Sequence, residues 1–186
     1  NLVEIRRAAR EIGRLVEQLV VFSREQPEQP AVPLDLNRLI DDSRDMLQLL
    51  AGRQVRLETR LATDLHSIKA VPGQIAQVLI GLATLSQGAP SGERRLTFET
   101  ANGQDSVILS VMDSGLRLDE QSRVHLFEPF ARTAAGGRLG LGLAVAHGIV
   151  GRHSGRIEVN DSGRGTTFTI YLPTRKGSPD GAANPA

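Results

Sequence analysis

This sequence contains no cysteine and no tryptophan. The first absence removes a disulfide framework, a thiolate zinc site and a cysteine nucleophile together. Aromatic residues make up only 3% of the chain, so a core has to come from Leu, Val, Ile and Ala, which an apolar content of 40% can supply. No apolar run approaches the ~20 residues of a membrane-spanning helix, and the sequence opens on an amphipathic pattern rather than a signal peptide. Neither sign of charge dominates: 22 Lys and Arg face 21 Asp and Glu, a net charge of +1. Attraction to a polyanion is therefore not implied, and nucleic acid is excluded as an expected partner. Lysine is nearly missing (Lys69 and Lys176), so arginine carries the positive charge, mostly as solvated surface. The first residue is Asn1, in mid-pattern, which reads as part of a longer protein.

What is present is a succession of clear periodicities in a chain long enough for one domain and a helical appendage. Leu2, Ile5, Ala8, Ile12, Leu15, Val16, Leu19 and Phe22 recur at intervals of three and four, an amphipathic helix over residues 1–26. Its stripe needs a partner, either its own domain or a dimeric helical bundle; the proline-rich linker 27–34 that follows favours the bundle. A second helix over 36–50 is capped by Asp35 or Asn37 and ended by Gly52. Val55, Leu57 and Thr59 alternate with charges as a half-buried strand, and a third helix runs over 74–87. Alternation then marks strands at Leu96-Phe98-Thr100, Val107-Leu109-Val111, Ile157-Val159 and Phe168-Ile170-Leu172. The order predicts an α+β fold over 35–174: a two-layer sandwich of a mixed sheet with helices on one face, preceded by the long N-terminal helix. Residues 175–186 read as a disordered tail.

The stretch from Asp113 to Val150 carries the chemistry. Asp113-Ser114-Gly115 ends a strand, Leu126-Phe127-Glu128-Pro129-Phe130 belongs to a loop, and Gly136-Gly137-Arg138-Leu139-Gly140-Leu141-Gly142 opens a helical apolar pattern. A helix start presents unpaired N–H groups and a partial positive charge, which suit a phosphate. A carboxylate only accepts hydrogen bonds, so Asp113 can take the exocyclic amine of a purine, or be an ordinary turn aspartate. The residues alone thus point to a nucleotide pocket, purine at Asp113 and phosphates at Gly140, Leu141 and Gly142.

These four elements, Asp113-Ser114-Gly115, Phe127-Glu128-Pro129-Phe130, Gly140-Leu141-Gly142-Leu143 and Gly163-Arg164-Gly165-Thr166-Thr167-Phe168, in this order, resemble the ATP-binding catalytic domain of bacterial sensor histidine kinases. That domain shares a superfamily with DNA gyrase, Hsp90 and the mismatch-repair ATPases, and the likeness covers roughly residues 2–173. It implies ATP or ADP as ligand, Asp113, Gly115 and Thr166 at the adenine, and Gly140, Leu141 and Gly142 at the phosphates. Arg132 aligns with a basic residue that faces the phosphates in relatives, and Arg138 lies close by; solvated lid charge is the alternative for both. Residues 1–26 resemble the second helix of the dimerisation domain, so a homodimer and a response-regulator receiver domain or partner kinase are the implied partners. The implied location is cytoplasmic, free or as part of a membrane-linked sensor, with no membrane contact in this segment.

The pattern is broken in three places. Where the family continues to a second glycine after Gly115, this chain has Arg117, which adds bulk at the mouth or reaches a phosphate. Where the third helix carries two asparagines, the second holding Mg²⁺, it has Gly81 and Leu85. Magnesium takes oxygen ligands and leucine offers none, so Mg²⁺ is not expected here and no catalytic or metal residue is assigned. Glycines at 81 and 88 inside that helix cost about 1 kcal/mol each against alanine, a relaxation expected where phosphoryl transfer is no longer required. Of His66, His125, His147 and His153, none has the family's phosphoacceptor setting. His147 suits packing or surface, and His153, near a helix end, suits a cation. The phosphoacceptor is therefore upstream of Asn1 or lost. Two functions stay open: an ATP-binding kinase module with impaired transfer, or a degenerate scaffold that dimerises and docks a regulator or kinase. A gyrase- or Hsp90-like ATPase fits less well, since Gln74 and Gln77 stand where those enzymes use a catalytic glutamate.

Overall fold

The structure, a computed structural model, describes residues 29–86, 94–129, 131–132, 138–163 and 165–174, and of Gln121, Arg132 and residues 138–140 the backbone alone. The amphipathic segment 1–26, Gly88, Phe130, Gly136, Gly137 and the tail 175–186 lie outside the described residues. In chain order the elements are β1 (Val32–Leu34), α1 (Leu36–Ala51), β2 (Val55–Arg60), β3 (Ile68–Ala70), α2 (Pro72–Leu85), β4 (Arg94–Asn102), β5 (Ser106–Asp113), α3 (Glu120–Val124), β6 (Ala131–Arg132), β7 (Arg138–Gly140), α4 (Gly142–Arg152), β8 (Arg156–Asp161) and β9 (Thr166–Pro173).

Successive strand side chains point to opposite faces, and β4, β5 and β9 send every second residue inward, although Thr97 on the other face of β4 is buried as well. Leu96, Phe98 and Thr100 of β4, Val107, Leu109, Val111 and Asp113 of β5, and Thr166, Phe168, Ile170 and Leu172 of β9 are all buried. The five strands lie in the order β2-β4-β5-β9-β8, with β2 parallel to β4 and the other neighbours antiparallel. Helices α1, α2 and α4 contribute Leu36, Ile40, Leu47, Ile75, Leu79, Leu82, Leu143, Ala146 and Ile149 to one continuous core with the inward strand residues. The opposite face carries Arg95, Glu99 and Met112 in solvent. This is the mixed-sheet α+β sandwich the periodicities predict. Phe98 and Phe168 are its largest fully buried side chains, each worth about 1.5–3 kcal/mol relative to exposure.

Of the two caps the sequence offers α1, Asp35 is the one used: its carboxylate accepts the Arg38 N–H at 3.1 Å. Asn37 instead donates to the Ala62 carbonyl (2.7 Å) and accepts from the Thr100 hydroxyl (2.8 Å), tying the helix start to the sheet. Gly52, at φ 102°, ends the helix and returns its N–H to Gln48. The Gln48 amide donates to Val55 O and accepts from Leu57 N, satisfying the open edge of β2. Helix α2 begins two residues before the predicted start because Pro72 needs no hydrogen-bond acceptor in a first turn. Strands β1, β3, β6 and β7 are too short to leave a period in the sequence. Val32–Leu34, inside the segment read as linker, pairs antiparallel with β3, Pro33 opposite Lys69.

Candidate functional site

Asp113 closes β5 on the inward face, opposite Leu96 on one side and Thr166 on the other. Only 1% of it is exposed, and protein donors surround it. The Gly115 and Leu116 amides donate at 2.8 and 3.1 Å, as the turn geometry dictates. The Ser86 hydroxyl, just past α2, donates at 2.5 Å, and Arg94 Nη2 lies 3.4 and 3.3 Å from the two carboxylate oxygens. A carboxylate has about four acceptor positions, so this set satisfies it.

Arg94 is the first residue of β4, two before Leu96, and the strand period sends it inward onto the same face. It is 8% exposed and forms a buried ion pair with Asp113. Its side chain crosses Gly115, where a Cβ would overlap Arg94 Nε and stand 2.8 Å from Cδ. Gly115 thus gives room to a side chain of the same protein.

Thr166 is buried, and its hydroxyl donates to Leu116 O (2.9 Å) and meets Asp161 Oδ2 (3.2 Å), fastening β9 to the loop after Asp113. Asp161 also accepts from the Leu118 and Gly163 amides at 2.9 Å each. Burial alone would raise its pKa; these hydrogen bonds and the nearby Arg117 charge outweigh it and hold Asp161 below the usual carboxylate range. Arg117 itself is exposed and turned to the Leu116 carbonyl at 3.3 Å. Gly165, at φ 153°, passes so close to the Asp113 backbone that a Cβ would collide with its carbonyl oxygen.

The glycine-rich helix start is where the sequence places it. Gly140 ends β7 opposite Ala131, Leu141 is the buried residue before α4, and among the described residues no side chain caps the first turn. Its leading N–H groups keep the polarity an anion would meet. The side chains of Arg132 and Arg138 lie outside the described residues. Gly142 presses on α2: a Cβ on Gly81 would stand 2.5 Å from the Gly142 carbonyl oxygen. Gly81 is therefore a contact that excludes a side chain, which corrects the view of it as mere relaxation.

The segment before β6 docks on α4 through the Phe127 ring, stacked on His147 with centroids 4.4 Å apart. Asp119 caps α3, and the hydrogen bonds from Ser122 lower its pKa. His153 is not placed as a cation: Nε2 accepts from the Val71 amide (3.2 Å) and Nδ1 pairs with Ile149 O (2.9 Å), the pattern of a neutral ring protonated at Nδ1.

Residues 70–176 match the family described as histidine kinase-, DNA gyrase B-, and HSP90-like ATPase. The chain belongs to that family. Within it, the bacterial sensor kinases are similar: the sensor kinase CckA of Brucella abortus (strain 2308) is 33% identical over 190 residues, 93% of this chain and 20% of that protein. The chain spans between 20% and 47% of the length of curated relatives such as CckA and the NtrB histidine kinase/phosphatase of Rhizobium leguminosarum bv. phaseoli. Among solved structures, full-length ShkA in complex with AMPPNP superposes with a TM-score of 0.73 at 21% identity, over 92% of this chain and 38% of that one. The mycobacterial sensor histidine kinase MprB gives 0.64 at 22% identity, over 77% and 99%. These likenesses establish the histidine-kinase catalytic-domain fold.

On that fold, Asp113, Gly115 and Thr166 come together at one end of the inward face, within one hydrogen-bonded cluster with Leu116 and Asp161. Ser86, Arg94 and Asp161 join this cluster without a signal in the sequence. A serine one residue past a helix and an arginine opening a strand carry no motif; the packing of α2 on the sheet brings Ser86 to Asp113, and strand register brings Arg94.

Proposed function

We propose that this chain is the ATP-binding module of a two-component sensor histidine kinase whose Mg²⁺-dependent phosphoryl transfer is impaired or absent. Asp113 and Thr166 would serve the purine end, and the Gly140–Gly142 backbone the phosphates, with Arg132 beside them. The observation that carries the reading is Leu85, 5% exposed in the core where the family motif calls for a magnesium ligand. The side-chain oxygens beside it are bonded within the protein: the Thr84 hydroxyl donates to Gly81 O (2.8 Å) and the Ser86 hydroxyl to Asp113. Mg²⁺ holds several oxygens near octahedral geometry, and this donor set does not fit it.

A second reading, a degenerate scaffold acting by dimerisation and by docking a response regulator or partner kinase, is favoured by the Asp113 carboxylate, whose acceptors are already taken by protein donors. Both readings divide the chain into a dimerisation-type helix (1–26), a linker (27–34), the ATP-binding domain (35–174) and a tail (175–186), in a cytoplasmic setting. No helix among the described residues is long and apolar enough to cross a membrane. The test is titration with a fluorescent ATP analogue with and without Mg²⁺, followed by incubation with ATP and a separate dimerisation helix bearing a histidine. The expected result is binding indifferent to Mg²⁺ and no phosphohistidine; tight magnesium-dependent binding or transfer would overturn it. Removing residues 1–18 should convert a dimer to a monomer by light scattering, and an unchanged mass would sink the dimer assignment.

A further inference from the structure

We infer that Arg94 occupies the purine end of the nucleotide cleft, so that a nucleotide binds only when the guanidinium withdraws from Asp113; this rests on the reading of Asp113 as the purine acceptor. The antiparallel register places Leu96 opposite Asp113, and continuing it by two residues sets Arg94 opposite Gly115. The Ser114 amide donates to the Arg95 carbonyl at 3.0 Å and the Arg95 amide to the Ser114 hydroxyl at 2.9 Å, so the pairing holds past the end of the strand. The inward side chain at 94 runs across the bare α-carbon of Gly115 to the carboxylate.

The chemistry of the occupant matches that of the ligand it displaces. A purine brings a flat ring and an amine donor; Arg94 brings a flat guanidinium whose N–H groups donate to the same carboxylate oxygens. It lies on Gly115, the residue whose missing side chain would let a ring approach. The guanidinium also has the energetic advantage of charge. Asp113 is 1% and Arg94 8% exposed, and a buried carboxylate that loses its cation is strongly disfavoured. A neutral amine does not replace that charge, so apparent affinity is reduced by the fraction of molecules in which Arg94 has left. Arg94 is thus a gate on nucleotide binding at the purine end, separate from the metal defect at Leu85.

The test measures ADP binding by calorimetry with the full chain in EDTA, which keeps the metal question apart. Arg94→Ala should bind ADP on the order of tenfold tighter than the natural chain, and Arg94→Gln, which keeps a neutral donor, should fall between. Circular dichroism checks both folds; should Arg94→Ala fail to fold because Asp113 has lost its cation, Arg94→Gln carries the same sign. In the unaltered chain, saturating ADP should shift the Arg94 Nε–H signal in nitrogen-15 NMR. Measurable ADP binding that is equal in all three proteins, or an unmoved Arg94 signal with ADP bound, would overturn the gate and leave the purine reading standing. No ADP binding by any of them would overturn both. Tight GDP binding that Arg94→Ala abolishes would make Arg94 a reader of a keto purine, and overturn its role as occupant.

Discussion

Gly81 and Gly142 meet backbone to backbone. A Cβ on Gly81 would lie 2.5 Å from Gly142 O, and one on Gly142 would lie 2.9 Å from Gly81 Cα. Neither glycine relieves a positive φ; both are there because α2 and α4 pack together at the start of α4.

Gly81→Ala should therefore destabilise the chain. Alanine gains about 1 kcal/mol of helix propensity, while forcing a methyl into a packed backbone contact costs about 1–3 kcal/mol. Gly148→Ala in α4 is the control: among the described residues only Arg152 Nη1, at 3.9 Å, is near the new methyl. It should stabilise by about 0.5–1 kcal/mol in the same urea titration. Opposite signs are expected, and two gains would refute the close contact.

Asp161 gives the pH dependence. Its folded pKa lies below the ordinary 3.8, so its stabilising contribution is present above that value and is lost as pH falls through the folded pKa. Asp161→Asn should be less stable than the natural chain at neutral pH, with the gap closing below pH 3.8. Thermal unfolding from pH 7 to 3 measures it; a gap constant in acid would contradict the assignment.

Asn37 bridges α1 to the sheet through Ala62 and Thr100. Asn37→Ala leaves the partly buried Thr100 hydroxyl and Ala62 carbonyl with fewer partners, and should cost about 1–3 kcal/mol. ADP affinity should not change, because the network lies far along β4 from Arg94. A drop in affinity without loss of stability would count against that separation.

Restoring the family asparagine at position 85, in a chain without Arg94, tests the proposed loss of Mg²⁺ dependence. In an Arg94→Ala background, Leu85→Asn should make ADP binding depend on Mg²⁺, whereas Arg94→Ala alone should bind equally with and without it. Leu85 is core, so the exchange should also cost about 2–5 kcal/mol, the range for truncating a buried leucine. Magnesium dependence in the single variant would show that an oxygen other than residue 85 supplies the ligand.

The alternation in β4, β5 and β9, the Gly52 stop of α1, and the order of the family motifs were legible because each is a local property with a period or a fixed offset, whereas the choice of Asp35 over Asn37 as the cap was not. The identity of Leu85, a hydrocarbon where the resembled family has an asparagine, was likewise readable from one side chain. The short strands β1 and β3 were not, for a three-residue strand has no period to read and Pro33 argues for a loop.

What the sequence determined by itself was the sheet, its inward face and the family, all properties of neighbours along the chain. What only the tertiary structure decided was the company those residues keep. Gly81 meets Gly142 because two helices pack side by side, and Arg94 meets Asp113 because β4 and β5 pair in one register. Those contacts join residues 19 and 61 positions apart, and that distance is closed only by packing and strand pairing.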